Sequence, residues 1–370
     1  MTTPLRTLSF AALALLCLLK GGPPSAARSG VSGTVLKAVA DVQTVAKLTG
    51  PGSTSQTDVN WALFGTDLGH TFSMKNRLYM VFGDSFGVGF TPPPDDSSWI
   101  WDLRGNAMAV IEDRTPADGL NFTRMITDRP GHAGELLPSQ RDPNGVGETA
   151  LIPTNGIASG SRMYLHLMSV RSWDSPGRWT LNSSSLAYSD DEGAHWARPQ
   201  QPQWAGSSGF GQVAFTRAGK TLYLFGIPGG RFGDVRLARV KERQLLDPTA
   251  YQYFSGLTGR KARWAATEAE SVPVAAGPAG ELSVMWSPFL RRWLMTYLDE
   301  PARALVIREA VQPWGPWSSP KLLVSADDYP GLYCAYMHPA LTERRGEILY
   351  FTMSRWPEYN VFLMRARLVK

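Results

Sequence analysis

Two short runs, each with an aspartate at its centre, are the strongest candidates for chemistry in this chain. They are Gly65-Thr-Asp-Leu-Gly69 and Phe82-Gly-Asp-Ser-Phe86. The residues between them predict an antiparallel hairpin with a two-residue turn at Lys75-Asn76. An unbroken register would place Asp67 directly opposite Asp84, where like charges repel. Two carboxylates held together in apolar surroundings are typical of a site that donates and accepts protons. The alternative, two exposed loop aspartates that point apart, stays open.

Four segments further along the chain resemble the second strand of this hairpin. Each of the five copies is followed by another strand-like run. Five such units predict an all-β chain that forms a five-bladed β-propeller with long loops on one face. The five copies begin at Arg77, Arg162, Thr221, Arg292 and Glu347.

Composition supports many short strands joined by turns. The 370 residues include 13 Trp, 12 Tyr, 36 Gly and 27 Pro, and only 19% are charged. We expect residues 53–370 to form the propeller, which would be the catalytic domain. Residues 30–52 form a preceding segment, whose strand Val42 to Leu48 pairs with the fifth unit, because that unit ends without an outer strand and a ring must cover its open edge.

Residues 1–29 have the layout of an export signal: Arg6 comes first, an apolar run follows, and small residues that suit a cleavage site come last. The apolar run is short for a membrane span, so we expect a secreted or cell-envelope protein without stable membrane insertion, an uncleaved anchor being the alternative. Cys334 would be the one cysteine left after cleavage. The formal charge of +5 is scattered, which argues against nucleic-acid binding. A monomer is expected.

Other chemistries lack their sequence signals. The five histidines show no metal-ligand spacing, and no P-loop or G-x-S-x-G run occurs, so we expect no metal and no cofactor. Ser189-Asp-Asp-Glu-Gly-Ala-His-Trp196 fits the Asp-box turn of propellers, which predicts a structural role for Asp191.

In a propeller, ligands bind where the first strands begin and the second strands end, and Asp67 and Asp84 occupy such places. Aligning the units predicts that further polar residues line the same funnel: Gln212, Glu281 to Ser283, Tyr336, His338, Ser169, Asp299 and Ser354. Aromatic residues that could stack on sugar rings are Trp173, Trp356, Tyr336 and Tyr359. Acidic candidates for a third catalytic role are Glu148, Glu268 and Glu270.

Several runs together resemble the family catalogued as domain of unknown function 4185. They include both aspartate runs, Ile152-Pro-Thr-Asn-Gly-Ile157, Gly315-Pro-Trp-Ser318 and Met353-Ser-Arg-Trp356. The resemblance implies a five-bladed propeller with acidic residues at its centre. It implies the activity of endo-D-arabinanases of glycoside hydrolase family 183, which cut D-arabinofuranose chains of mycobacterial arabinogalactan and lipoarabinomannan. Asp67 and Asp84 take the catalytic role, and Asn155 joins the substrate-binding candidates.

Two other functions remain open. The Asp-box suggests a sialidase-type hydrolase, although sialidases use an arginine triad on six blades. A carbohydrate-binding propeller without catalysis is the second alternative.

Overall fold

Five antiparallel sheets follow one another along the chain and close into a ring, so the predicted five-bladed β-propeller is confirmed. The computed structural model describes residues 35–92, 102–142 and 144–370. The predicted export signal over residues 1–29 lies outside these ranges. The first strand of each sheet contacts the first strands of its two neighbours, which defines the axis of the ring.

The sheets are numbered I to V in chain order, with strands given from the axis outward. Sheet I contains Gly65–Met74, Arg77–Phe86, Ala107–Ile111 and Arg124–Met125, with Leu103–Arg104 beside the second strand. Sheet II contains Ala150–Ser159, Arg162–Ser175, Arg178–Ser189 and Gln203–Ala205. Sheet III contains Gln212–Ala218, Thr221–Ile227, Gly233–Lys241, Gln252–Thr258 and Lys261–Ala265, with Ala275–Ala279 paired to its third strand.

Sheet IV contains Leu282–Ser287, Arg292–Asp299, Ala304–Ala310 and Lys321–Ser325. Sheet V contains Leu332–Glu343, Ile348–Arg355, Asn360–Val369 and, outermost, Ala38–Lys47. A small hairpin joins Thr127–Arg129 to His132–Ala133. The described helices are all short: Thr57–Trp61, Pro116–Asp118, Glu242–Gln244, Pro248–Ala250, Glu268–Glu270 and Arg344–Gly346. Among the residues described, no helix is long and apolar enough to cross a membrane.

Both faces of a middle strand are buried, which explains its nearly continuous apolar sequence. In Arg77–Phe86, the side chains of Leu78, Met80 and Phe82 pack toward sheet V. Those of Tyr79 and Val81 point the other way, toward sheet II. Alternate residues of a strand point to opposite faces, so a strand between two neighbouring sheets needs apolar residues at every position.

The outermost strand of sheet V comes from the beginning of the described chain. Ala38–Lys47 pairs antiparallel with Asn360–Val369, with Ala38 opposite Val369 and Lys47 opposite Phe362. This strand begins four residues before the predicted Val42. The backbone N–H of Leu36 also donates to Glu309 Oε1 of sheet IV at 2.9 Å, which ties the segment to a second sheet.

The face where first strands begin and second strands end is called the upper face below. The Asp-box lies at the opposite end of the ring, after the third strand of sheet II. Asp191 Oδ1 accepts a hydrogen bond from the His195 backbone N–H at 2.9 Å, and the Trp196 indole donates to the Gly193 carbonyl at 3.0 Å. Both bonds hold the turn, and the hydrogen bonds from His195 lower the pKa of Asp191. A structural role for this aspartate therefore fits the geometry.

Candidate active site

Asp67 and Asp84 lie on adjacent strands at the upper face, but the unbroken register predicted for them is wrong. Thr66 pairs with Ser85, and the next pair is Leu68 with Phe82, so Asp67 faces two residues, Gly83 and Asp84. A second shift of opposite sense follows on the first strand, where Leu68 and Gly69 adopt left-handed conformations with φ of 65° and 78°. Such bulges re-aim side chains and are frequent beside active sites.

Gly83 allows the Asp67 carboxylate to cross over the second strand. A Cβ atom at position 83 would lie 2.4 Å from Asp67 Oδ1, closer than any real contact. The Asp67 side chain therefore occupies space that any other residue at position 83 would fill. The bulge, rather than a regular cross-strand pair, brings the two carboxylates together.

Two phenol groups from sheet V hold Asp67. The Tyr333 hydroxyl donates to Asp67 Oδ2 at 3.0 Å, and the Tyr359 hydroxyl also hydrogen-bonds this carboxylate. Tyr333 lies at the beginning of the first strand of its sheet, and Tyr359 immediately precedes the third. Burial raises the pKa of both phenols well above the ordinary value, and the charge of Asp67 raises it further, so both act as donors.

Both aspartates are half-buried and titrate near neutral pH. Burial raises the pKa of Asp67 to about 7, with Glu281 adding to the rise while the two phenols and Arg231 oppose it. Burial also raises the pKa of Asp84 to about 8, helped by the charges of Asp67 and Glu135 and opposed by Arg141. Near neutral pH the pair therefore holds about one proton, which resides mainly on Asp84.

A charged cluster from sheets III and IV borders the pair. Arg231 Nη2 lies 2.9 Å from Glu281 Oε1, and Arg231 Nη1 lies 3.6 Å from Glu300 Oε2. The guanidinium also stands 5.2 Å from the ring centre of Tyr333. Burial acts to lower the pKa of Arg231, but the two glutamates outweigh it and raise the pKa. Arg231 therefore stays charged.

Sequence reasoning missed Arg231 and Tyr333 as site residues. Arg231 lies in the loop after the second strand of sheet III, at the upper face, so the repeat alignment could have indicated it. Tyr333 comes three residues before Tyr336 on the same strand. The local sequence of neither residue carries a pattern specific for catalysis.

A small cavity on the axis brings three of the predicted funnel residues together. Its volume is about 20 Å³, room for about one water molecule, and its lining includes Gln212, Glu281, Tyr336 and Thr154. The Gln212 side-chain amide donates to the carbonyls of Pro228 and Gly230, so its orientation is set by the chain itself.

Asn155 and His338 are buried within the ring, and the structure does not bring them to the carboxylates. Asn155 Oδ1 accepts from the Phe215 backbone N–H at 3.4 Å, between sheets II and III. His338 Nδ1 accepts from the Ala340 backbone N–H at 3.1 Å, and burial lowers the pKa of His338 to about 4. Each of these hydrogen bonds joins a side chain to a nearby backbone group, so both side chains have a structural role.

The remaining predicted binding residues divide by exposure. Trp173 and Trp356 are each 49% exposed and stand at the upper face. Ser169 is buried and accepts a hydrogen bond from Asn182. Ser354 is buried and donates to the Leu68 carbonyl. The Asp299 carboxylate accepts a hydrogen bond from the Ala302 backbone N–H, which closes a turn. Of these predicted residues, the two tryptophans are the ones that present large apolar surfaces to a ligand.

The three glutamates considered for a third catalytic role are engaged in structural contacts. Glu148 forms an ion pair with Arg198 at 3.0 Å. Glu268 accepts bonds from the Ser208 hydroxyl and the Gly209 backbone, and Glu270 accepts one from Thr267. Glu281 is instead the third acidic residue whose charge acts on Asp67. Within the described ranges, no group of three or more His, Cys, Asp or Glu side chains could hold a metal ion.

Five sheets around two half-buried carboxylates define this protein as a β-propeller with a candidate acid–base site. The chain belongs to the family described as domain of unknown function 4185, whose pattern matches residues 52–365. It is also 27% identical over 329 residues to the notoamide biosynthesis cluster protein J of Aspergillus sp. (strain MF297-2), covering 82% of this chain and 83% of that protein.

Solved structures show where else this fold occurs. A putative hydrolase from Bacteroides ovatus ATCC 8483 aligns with a TM-score of 0.58 at 13% identity, covering 84% of this chain and 87% of that one. A family 117 glycoside hydrolase of the marine bacterium Zobellia galactanivorans aligns with a TM-score of 0.50 at 11% identity, covering 89% and 91%. At these identities the likeness concerns the fold, which this chain shares with propeller glycoside hydrolases.

Proposed function

We propose that this protein is a glycoside hydrolase that cuts internal D-arabinofuranosyl linkages in cell-wall arabinan. The observation that carries the proposal is the pair Asp67 and Asp84, whose pKa values of about 7 and about 8 leave one carboxyl protonated and one ionised near neutral pH. Glycoside hydrolysis needs this combination of an acid and a carboxylate. The occurrence of the fold among glycoside hydrolases supports the class, and the family motifs support arabinan as the substrate.

The unequal environments of the two aspartates suggest their roles. Asp84 has the higher pKa because the charges of Asp67 and Glu135 add to the effect of burial, so it holds the proton and gives it to the departing glycosidic oxygen. Asp67 is stabilised as an anion by Tyr333 and Tyr359, so it attacks the anomeric carbon or takes a proton from the attacking water. On the first path, Asp84 takes its proton back from the water that hydrolyses the glycosyl–enzyme bond. On the second path, Asp67 holds the proton of the water, and this proton passes to Asp84 through solvent before the next cycle.

The place of action is also a proposal. The charged and apolar pattern of residues 1–29 supports export, and the predicted substrate is a wall polymer. We propose a monomer that reaches arabinan in the cell envelope or outside the cell.

The test is the rate at which Asp67→Asn and Asp84→Asn release D-arabino-oligosaccharides from purified arabinogalactan. A catalytic acid or base contributes about 10²–10⁴-fold to the rate, so each variant should be at least about 100-fold slower. Asp190→Asn is the matched control, because Asp190 is an exposed carboxylate at the opposite end of the ring that pairs with Arg162. Its rate should equal that of wild type.

Near-native turnover in both catalytic variants would refute these roles. Wild type that binds arabinogalactan and never cuts it would favour the carbohydrate-binding propeller instead. Release of sialic acid from a sialylated substrate, without release of arabinose, would favour the sialidase alternative.

A further inference from the structure

The hairpin of sheet II extends beyond the rest of its sheet at the upper face. Pairing with the first strand stops at Val170, whereas the second and third strands continue to pair up to Ser175 and Arg178. This extension carries two tryptophans directly opposite each other, Trp173 and Trp179, whose rings pack edge to face with centres 5.6 Å apart.

The hairpin tip is fixed to sheet III. The backbone N–H of Arg231 donates to the Gly177 carbonyl at 2.9 Å, which joins the turn of the hairpin to the loop of the neighbouring sheet. The Arg178 guanidinium stacks 4.1 Å from the ring centre of Phe232. Asp174 accepts bonds from Ser172 and Thr180, which fix the bend in the hairpin. The aromatic side chains are therefore held in place.

Two of these aromatic side chains remain open to solvent despite that anchoring. Trp173 is 49% exposed and Phe232 is 38% exposed, whereas Trp204, Trp293 and Trp317 are all buried. Exposed aromatic rings on a fixed element offer flat apolar faces on which a sugar ring can stack. Trp179 is partly buried and packs against the core, whereas Trp173 and Phe232 keep a larger exposed surface.

A chain of side-chain contacts links the tip of this hairpin to the carboxylate pair. Arg231 stands 5.8 Å from the ring centre of Trp179 on one side and 5.2 Å from that of Tyr333 on the other. Tyr333 in turn donates to Asp67. The hairpin tip and the carboxylates therefore stand at the same face of the propeller, with Arg231 and Tyr333 between them.

We propose that Trp173 and Phe232, supported by Trp179 and Arg178, form a distal sugar-binding subsite of the candidate active site. The inference rests on the proposed carbohydrate function. The rings stack on the apolar face of a sugar unit some way along the polymer from the bond that is cut. Such a subsite holds the chain on one side of the carboxylates, which favours cutting at internal linkages over removal of single end units.

The test measures binding to purified arabinogalactan and to a D-arabino-tetrasaccharide, with Asp84→Asn as the background so that the ligand stays intact. Trp173→Ala and Phe232→Ala should each weaken binding to the polymer by about fivefold to tenfold, more than binding to the tetrasaccharide. Trp173→Tyr keeps a stacking ring and should restore most of the affinity. Leu322→Ala is the control, because Leu322 is 58% exposed on the outer strand of sheet IV. Melting curves confirm that each variant is folded.

Equal polymer binding by the Asp84→Asn protein with and without either alanine change would overturn the inference. Binding without cutting by the unaltered protein, together with weaker binding by Trp173→Ala, would refute the hydrolase and leave the subsite standing. No binding of wild type to arabinogalactan, xylan or agar would overturn both.

Discussion

Tyr333 connects the two charged groups of the upper face, because its hydroxyl bonds Asp67 and its ring lies against Arg231. Tyr333→Phe removes the donor that lowers the pKa of Asp67, so this pKa should rise further. We expect the acidic limb of the pH–rate profile to move to higher pH, and the rate at neutral pH to fall by about 3- to 10-fold.

Tyr350→Phe is a matched control for this change. The Tyr350 hydroxyl also donates to a carboxylate, that of Glu343, but in sheet V away from Asp67. Its profile should superimpose on that of wild type. A Tyr333→Phe profile with an unmoved acidic limb would show that the phenol does not act on Asp67.

The aspartates themselves could be identified from the sequence, because their runs are local and lie in one hairpin. Their geometry could not. The bulge depends on left-handed conformations at Leu68 and Gly69, and a Cβ at position 69 would lie 2.7 Å from Val361 of sheet V. Arg231 and Tyr333 reach the pair from residues far away in the chain, so no local pattern indicates them.

The ring-closing strand offers a prediction at the scale of one element. Leu48 follows Ala38–Lys47 and is fully buried against sheets I and V. Leu48→Ala should reduce the free energy of unfolding by about 2–5 kcal/mol, because it leaves a cavity between two sheets. The Tm should therefore fall by at least about 4 °C.

Gln43→Ala provides the comparison, because Gln43 is exposed on the same strand. Its Tm should lie within about 1 °C of wild type, as for most surface changes. An unchanged Tm in Leu48→Ala would mean that this segment contributes little to closing the ring.

Elements buried on both sides were the most predictable. Their apolar runs recur in order, as at Arg77–Phe86 and Arg292–Asp299. The first part of Ala38–Lys47 was missed because this outer strand is largely exposed. Apolar and polar residues therefore alternate only weakly along its sequence. Sheet III also has two extra strands at its edge, Gln252–Thr258 and Lys261–Ala265. These form by pairing with each other rather than by burial, so their sequences lack a buried apolar run.

The whole molecule should be most stable near pH 6.5. Burial lowers the pKa of His70 and His166 to about 3 and that of His338 to about 4, so below pH 6.5 the unfolded chain binds protons that the folded chain does not. Stability therefore falls as the pH decreases. The raised pKa values of Asp67 and Asp84 act oppositely, because the folded chain keeps protons that the unfolded chain loses above about pH 4.

The contribution of the two aspartates is thus fully present below about pH 4 and is lost as the pH rises through 7 and 8. Asp67→Asn/Asp84→Asn should abolish this loss. Compared by urea unfolding, the variant should gain stability over wild type steadily from pH 4 to pH 8, because the raised pKa values of the two carboxyls cost the folded wild type stability over this range. If the free energies of unfolding of variant and wild type changed with pH in parallel, the two carboxyls would titrate normally in the folded protein.

The pairing of Ala38 with Val369 also determines when the fifth sheet can form during synthesis. At about 5–20 residues per second, the ribosome needs roughly 15–70 s between making these two residues. During that time the early strand has no partner, and the fifth sheet cannot be completed. Contacts between such distant residues form late and slowly. The nascent chain therefore carries an unpaired strand that other chains can join, until Asn360–Val369 has been made.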